Sequence, residues 1–249
     1  MPMVHLLATD LDGTLVGDRT GLKKLLAYLD SKPYEVKLVY VTGRHLHSAL
    51  TLISKEQLPH PDALITDIGT SIYTGAALIM DESWDLQMKL HWKPEKIKKI
   101  AGTCEGLIPQ LLPDDRRLSY VVSSDAPVKE FQIKLKEADI SHKFVFSANR
   151  YIDILPKKSG KGNALKYVLK QYFSDQVRVL IAGDTGNDED MLALGHPAVI
   201  VGNGHSELYR LEEYPFIYRA EQHYAGGIQE AWEYFYASEN LAANSEVEQ

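Results

Sequence analysis

A chain of 249 residues, 45% of them hydrophobic, is long enough to bury a sizeable core, either as one large domain or as a main domain with a smaller companion. Its formal net charge of -7 argues against a nucleic-acid binder, which would carry a basic stripe, and no apolar run approaches the roughly 18 residues of a membrane span. Cys104 is the single cysteine, so no internal disulfide can form and a reducing cytoplasmic setting is expected.

In chain order, Val4–Ala8 is a short apolar run that breaks at an aspartate, which suits a buried strand of a parallel sheet. Leu22–Leu29 has helical spacing, Val36–Val41 reads as a second buried strand, His47–Lys55 as a helix and Ala63–Thr66 as a third strand. Lys93–Leu112 predicts a helix, Leu118–Ser123 an alternating strand, Val128–Ala138 a helix, and Lys143–Ser147 and Tyr151–Leu155 two further strands. Asn163–Phe173 then reads as a helix, Val177–Ala182 as a β-branched strand, Met191–Leu194 as a helix and Ala198–Val201 as a strand. Alternation of strand and helix at both ends of the chain implies an α/β class, a doubly wound parallel sheet with right-handed crossovers. The middle, with a different order, implies a smaller α+β unit over 73–155, leaving 1–72 and 156–237 as a discontinuous main domain. The polar tail 238–249 is expected to be unstructured.

In open α/β sheets, ligands bind outside the carboxyl ends of the strands. Four unusual polar stretches fall at such strand ends or helix starts: Asp10-Leu11-Asp12-Gly13-Thr14, Thr42-Gly43-Arg44, Lys161, and Gly183-Asp184-Thr185-Gly186-Asn187-Asp188. Singly, each has an ordinary structural reading: a turn, a helix cap for Thr42, a solvated lysine, an acidic first turn for Asp188. The set and its order resemble the haloacid dehalogenase superfamily of phosphotransferases, whose four motifs are all present.

That resemblance implies an enzyme that hydrolyses phosphoric monoesters. Asp10 would attack phosphorus in line once a divalent metal neutralises the phosphate, and Asp12 would serve as general acid and then base. Two carboxylates turned into one pocket would push their pKa values apart, which favours a protonated Asp12 at the start. Thr42 and Gly43 would bind a phosphoryl oxygen, with Lys161 supplying positive charge. The expected cofactor is Mg2+, held by Asp10, Asp12 through its backbone carbonyl, and Asp184, with Asn187 and Asp188 in support.

About thirty residues separate Asp10 from Thr42, whereas about 120 separate Thr42 from Lys161, so the smaller unit is inserted between the second and third motifs. In the resembling superfamily this is the second class of cap, typical of sugar phosphatases. Ile68–Tyr73, Tyr151–Pro156, Lys161–Ala164 and Val199–Asn203 are similar to the sucrose-phosphate phosphatase and mannosylfructose-phosphate phosphatase group. The similarity implies sugar contacts from Asp67, Gly69, Thr70 and Ser71 on the core side and from Arg117, Ser119 and Asp153 on the cap side. Sucrose-phosphate phosphatase has a lysine at the position of Arg117, a departure that bears on the choice of disaccharide because the two side chains do not interchange at a bidentate site. The expected substrate is a phosphorylated sugar, most of all a disaccharide phosphate such as sucrose 6-phosphate. Mannosylfructose phosphate or another glycoside phosphate is the alternative, followed by a phosphomutase of the same superfamily or a non-enzymatic phospho-acceptor domain. A glycosyltransferase (synthase) partner and a monomeric or weakly dimeric state complete the expectation. Trp84 and Trp92 read as packing aromatics rather than sugar platforms.

Overall fold

The computed structural model describes residues 4–247. Its first half runs β1 (Val4–Thr9), α1 (Arg19–Asp30), β2 (Glu35–Val41), α2 (Leu46–Lys55), β3 (Ala63–Thr66), β4 (Ser71–Thr74), β5 (Ile79–Met80) and α3 (Glu82–Lys89). The inserted segment follows as α4 (Pro94–Ala101), β6 (Ile108–Pro109), β7 (Leu118–Val121), α5 (Ala126–Glu137), β8 (Lys143–Ser147) and β9 (Tyr151–Leu155). The chain then returns through α6 (Lys161–Tyr172), β10 (Arg178–Gly183), α7 (Glu189–Leu192), β11 (Ala198–Ile200), β12 (Ile217–Arg219) and α8 (Tyr224–Val247).

Eight strands form one sheet in the order β12-β11-β10-β1-β2-β3-β4-β5, parallel from β12 to β3 and antiparallel beyond it. The strands near its centre are apolar on both faces because both faces are covered. Leu7 of β1 joins Leu22 and Leu25 of α1, Leu52 of α2 and Trp232 of α8 on one side. Leu6 and Ala8 join Leu165 and Val168 of α6 and Met191 of α7 on the other. From β1 the chain winds outward to β2 and β3, and later from β10 to β11 and β12 in the opposite direction. The order therefore reverses between β1 and β10, and the crevice at the carboxyl ends of that pair is where an open α/β sheet binds ligand.

The second sheet is antiparallel, in the order β6-β7-β9-β8. Alternation gives it two unlike faces. Leu118, Tyr120, Ile152 and Ile154 bury against Ile97 of α4 and Phe131 and Leu135 of α5. Ser119, Asp153 and Val145 lie in register across β7, β9 and β8 on the opposite face.

Several local expectations are corrected. The single helix over Lys93–Leu112 stops at Ala101, because the chain turns at Gly102 and at Gly106 (φ +83°) before Pro109 enters β6. Helix α6 begins at Lys161 rather than Asn163, directly after Gly160 at φ +111°. The tail expected to be unstructured from Ser238 instead continues the backbone of α8 as far as Val247, where Leu241-Ala242-Ala243 supplies good helix formers, and residues 248–249 lie outside the described residues. The domain edge expected at Tyr73 falls inside β4, and β4, β5 and α3 all pack on the large sheet. Trp84 and Met88 of α3 are buried in its core, and Trp84 Nε1 donates to the Gly69 carbonyl at 3.2 Å. We therefore place the edge between Lys89 and Pro94. Trp84→Ala should accordingly destabilise the large sheet by about 3–5 kcal/mol in denaturant unfolding. A cost below about 1 kcal/mol would return α3 to the inserted unit.

Candidate active site

The site is built on one buried cation. Lys161 is 0% exposed and stands at the first position of α6, where the helix dipole disfavours positive charge. Two carboxylates offset both costs: Nζ donates to Asp10 Oδ1 at 2.5 Å and to Asp188 Oδ1 at 2.6 Å. Burial works against the ammonium, but Asp10 and Asp188 outweigh it and hold the lysine pKa above its ordinary value.

Asp10 follows β1 and Asp184 follows β10, the two neighbours at the reversal of strand order. Asp188 closes a short 3-10 turn, Gly186–Asp188, whose capping box with Thr185 fixes it in place. Its Oδ2 accepts the amides of Asp184 (3.0 Å) and Thr185 (3.1 Å). Asp184 Oδ1 accepts from Thr14 Oγ1 at 2.9 Å. Gly13, at φ +84°, is what lets Asp184 come so near the first loop, because a Cβ there would lie 2.3 Å from Asp184 Oδ2.

Asp10, Asp184 and Asp188 are buried and offer carboxylate oxygens that all lie within 4.8 Å of one another. Burial, together with the neighbouring Asp188 and Asp184, pushes the Asp10 carboxyl well above the usual carboxylate range despite Lys161. Burial first and Asp188 second push Asp184 up to about 7. One lysine does not neutralise three carboxylates. Among the described residues no hydrogen bond reaches Asp10 Oδ2 or Asp184 Oδ2, and a hard, oxygen-seeking divalent cation such as Mg2+ fits this donor set.

The remaining motif residues surround this cluster. Thr42 is buried at the end of β2, and its Oγ1 accepts from the Arg44 amide at 3.1 Å. It is not a helix cap: His45 caps α2, accepting from the Ser48 amide. Gly43 faces Asn187, whose Nδ2 lies 4.0 Å from where a Gly43 Cβ would stand. Asp12 departs from the sequence reading. Its carboxylate is 50% exposed and held in the fork of Arg44, at 2.6 and 2.8 Å, so the acids gathered around Asp10 are Asp184 and Asp188 rather than Asp12.

The loop after β3 lies alongside. Asp67 (φ +52°), Ile68 (φ +54°) and Gly69 (φ +83°) are three successive residues in left-handed conformation, which is strained for the β-branched Ile68. The amides of Asp67 and Ile68 donate to the carbonyls of Arg44 (2.9 Å) and Thr42 (3.2 Å). Thr70 Oγ1 is buried without a hydrogen-bond partner among the described residues, and the Ser71 hydroxyl lies by Tyr73. From the inserted unit, Arg117 binds Asp153 Oδ1 at 2.5 Å, the Gly43 carbonyl at 2.9 Å and Asp67 Oδ1 at 3.3 Å. Burial raises the Asp67 carboxyl, and Arg117 opposes that shift. Ser119 Oγ donates to Gln110 Oε1 at 2.5 Å.

Asp10, Lys161, Asp184 and Asp188 thus share one cluster and Arg117 joins Gly43, Asp67 and Asp153, whereas the Asp12 carboxylate is held by Arg44 and Ser119 by Gln110. Thr14, Arg44, Asn203 (donating to the Gly13 carbonyl at 2.7 Å) and Glu207 (accepting from Gly186 N at 2.5 Å) were missed. The first three lie inside quoted motif stretches and could have been found there. Glu207 has no local signal.

This sheet order, with a second sheet inserted after the Thr42 motif, with Asp10 and Asp184 at the ends of β1 and β10 and Lys161 at the start of α6, defines the haloacid dehalogenase fold with an inserted cap. The model of the sucrose-6F-phosphate phosphohydrolase family matches residues 3–236, and the chain belongs to that family. A glucosylglycerol-phosphate synthase of Pseudomonas anguilliseptica is 35% identical over 92% of this chain, which spans only 30% of that longer protein. The mannosylfructose-phosphate phosphatase of Agrobacterium fabrum is 31% identical, over 85% of this chain and 88% of its own length. Among solved structures, the sucrose-phosphatase of Synechocystis, in complex with sucrose and phosphate, matches with a TM-score of 0.85 at 32% identity, covering 93% of this chain and 97% of that one. Among the described residues no helix is long and apolar enough to cross a membrane.

If the acidic cluster holds Mg2+, adding the ion to metal-stripped protein should raise its melting temperature. At a hundredfold excess over Kd the gain is about 2.7 kcal/mol, or about 5–10 °C for a chain of this size. Asp184→Asn should lose most of that rise. A melting curve insensitive to Mg2+ would mean that the carboxylates bind no cation.

Proposed function

We propose that this chain is a Mg2+-dependent phosphomonoesterase that acts on a phosphorylated sugar through an aspartyl-phosphate on Asp10. The observation that carries this reading is the Lys161 bridge between Asp10 and Asp188, which fixes one oxygen of Asp10 beside Asp184 in a cluster of three buried carboxylates. Mg2+ held by Asp10, the Asp12 carbonyl and Asp184, with Asn187 and Asp188 in support, would supply the positive charge that lets a carboxylate approach a phosphate.

Asp10 forms the new O–P bond as the ester O–P bond breaks, and the Asp12 carboxylic acid gives its proton to the departing sugar oxygen. Water then attacks the phosphorus of the aspartyl-phosphate, its proton passes to Asp12, and Asp10 is released with inorganic phosphate. For either step Asp12 must exchange Arg44 for the reacting oxygen, a rotation open to a half-exposed side chain. Thr42, the Gly43 backbone and Lys161 hold the phosphoryl oxygens.

The sugar would lie between the loop after β3 and the polar face of the small sheet. The unpartnered hydroxyl of Thr70, beside Ser71, supports this, since a buried hydroxyl without a partner costs free energy that a ligand recovers. Gly69, Asp67, Ser119, Arg117 and Asp153 would contribute the other contacts, and the Arg117 contacts to Asp67 and Asp153 support grouping them. We take sucrose 6-phosphate as the first candidate, on the family match. Mannosylfructose phosphate is the second, supported by the relative that shares 31% of its residues over 88% of its length. A glycosyltransferase would make either substrate, and the longer synthase with a region similar to this chain supports such a partner.

Asp10→Asn should retain less than about a thousandth of the wild-type rate of phosphate release, and a larger residue of activity would remove Asp10 as nucleophile. Asp12→Ala should still be phosphorylated by an ester with a good leaving group but hydrolyse slowly, giving a burst in rapid-quench kinetics. Phosphate release across sucrose 6-phosphate, mannosylfructose phosphate, trehalose 6-phosphate, glucosylglycerol phosphate and hexose monophosphates should favour a disaccharide phosphate. Preference for hexose monophosphates would overturn that substrate, and isomerisation without phosphate release would point to a mutase.

A further inference from the structure

Arg117 stands just before β7 in the inserted unit, yet its guanidinium makes its contacts across the boundary. The side chain is 10% exposed, and all three of its nitrogens are engaged by protein acceptors. Asp153, on the neighbouring strand of the same sheet, orients it. The other two acceptors belong to the core: the Gly43 carbonyl, next to Thr42, and the carboxylate of Asp67, at the start of the strained loop.

Those two acceptors lie on loops already joined to each other through Asp67 N to Arg44 O and Ile68 N to Thr42 O. The second loop also abuts the peptide that presents the buried lysine. A Cβ on Gly69 would meet the Gly160 carbonyl oxygen at 2.2 Å and Lys161 N at 2.9 Å, so the two backbones touch with nothing between them. A continuous chain of contacts thus runs from Arg117 to Thr42-Gly43 on one side and through Asp67-Ile68-Gly69 to Lys161 on the other. We infer that Arg117 is a positioning residue, through which docking of the inserted unit sets the Thr42 and Lys161 loops in their catalytic arrangement. The left-handed conformation of Asp67 and Ile68 is strained by itself, and the buried Arg117–Asp67 pair helps to hold it. When the inserted unit lifts away, that restraint is lost, and the phosphate-binding groups loosen together.

The inference rests on the phosphatase reading of the Asp10 site, and p-nitrophenyl phosphate, an ester with no sugar, separates the two. A residue that only binds sugar would leave turnover of this ester unchanged when removed. Arg117→Ala should instead lower its kcat by about tenfold or more, with little change in KM. Asp67→Asn takes the charge out of the same contact from the core side with a residue that tolerates left-handed backbone, so it should lower kcat in the same direction even if Arg117→Ala does not fold. The double variant should be no worse than the poorer single one, as expected of residues acting in one linkage. In hydrogen-exchange measurements the segments 42–44 and 67–71 should exchange faster in either variant. Unchanged exchange there, kcat on p-nitrophenyl phosphate within twofold of wild type, or losses that multiply in the double variant would each overturn the inference. Failure of the wild type to hydrolyse any phosphate ester would overturn the phosphatase reading, and the exchange result would still decide the role of Arg117.

Discussion

The structure depends on a lysine that is charged, wholly buried and set at the unfavourable end of a helix. Lys161 is tolerable there only because Asp10 and Asp188 each place an oxygen on its ammonium. Removing one partner of such a buried pair costs about 3–5 kcal/mol, because the other charge is left without compensation. The three side chains come from three places in the chain: the end of β1, the turn after β10 and the first residue of α6. Their mutual satisfaction is therefore a condition on how the sheet and helix are docked, as well as on the chemistry they carry.

The same centre holds more negative charge than the lysine can neutralise. Asp184 lies close by, its approach made possible by the missing side chain of Gly13 and its orientation set by Thr14. Burial pushes both Asp10 and Asp184 above the ordinary carboxylate range. A protein with a net charge of -7 concentrates acid at the carboxyl end of its sheet, and the oxygen donors gathered there suit a hard divalent cation. The charge of the chain as a whole is not what a phosphate meets.

The inserted unit rests on the core through few but specific polar ties. On one side Arg117 spans the Thr42-Gly43 and Asp67 loops. On the other, Lys143 of β8 pairs with Asp190 at 2.5 Å, while Glu207 accepts the amides of both Ala148 and Gly186. Charged contacts of this kind, between units with separate apolar cores, can be exchanged for water without unfolding either one. The arrangement ties the loops of the core to the position of the unit above.

Much of this was legible in the sequence. Strands apolar on both faces and ending in Asp10, Thr42 and Asp184 marked a parallel sheet and its ligand-binding edge, because a covered strand must be apolar while its end need not be. The long interval before Lys161 marked an inserted unit, since a crossover needs far fewer residues. What sequence left open was decided by contacts between residues far apart in the chain. The carboxylate of Asp12 turned to Arg44, the first turn of α6 took in Lys161, and α3 joined the large sheet through Trp84. The family resemblance implied a sugar contact for Arg117, and only the docking of two sheets showed that it also reaches Gly43 and Asp67. Periodicity and motif report what a residue needs locally, burial or a turn. Which partner satisfies a buried charge is set by tertiary packing, and no local pattern encodes it.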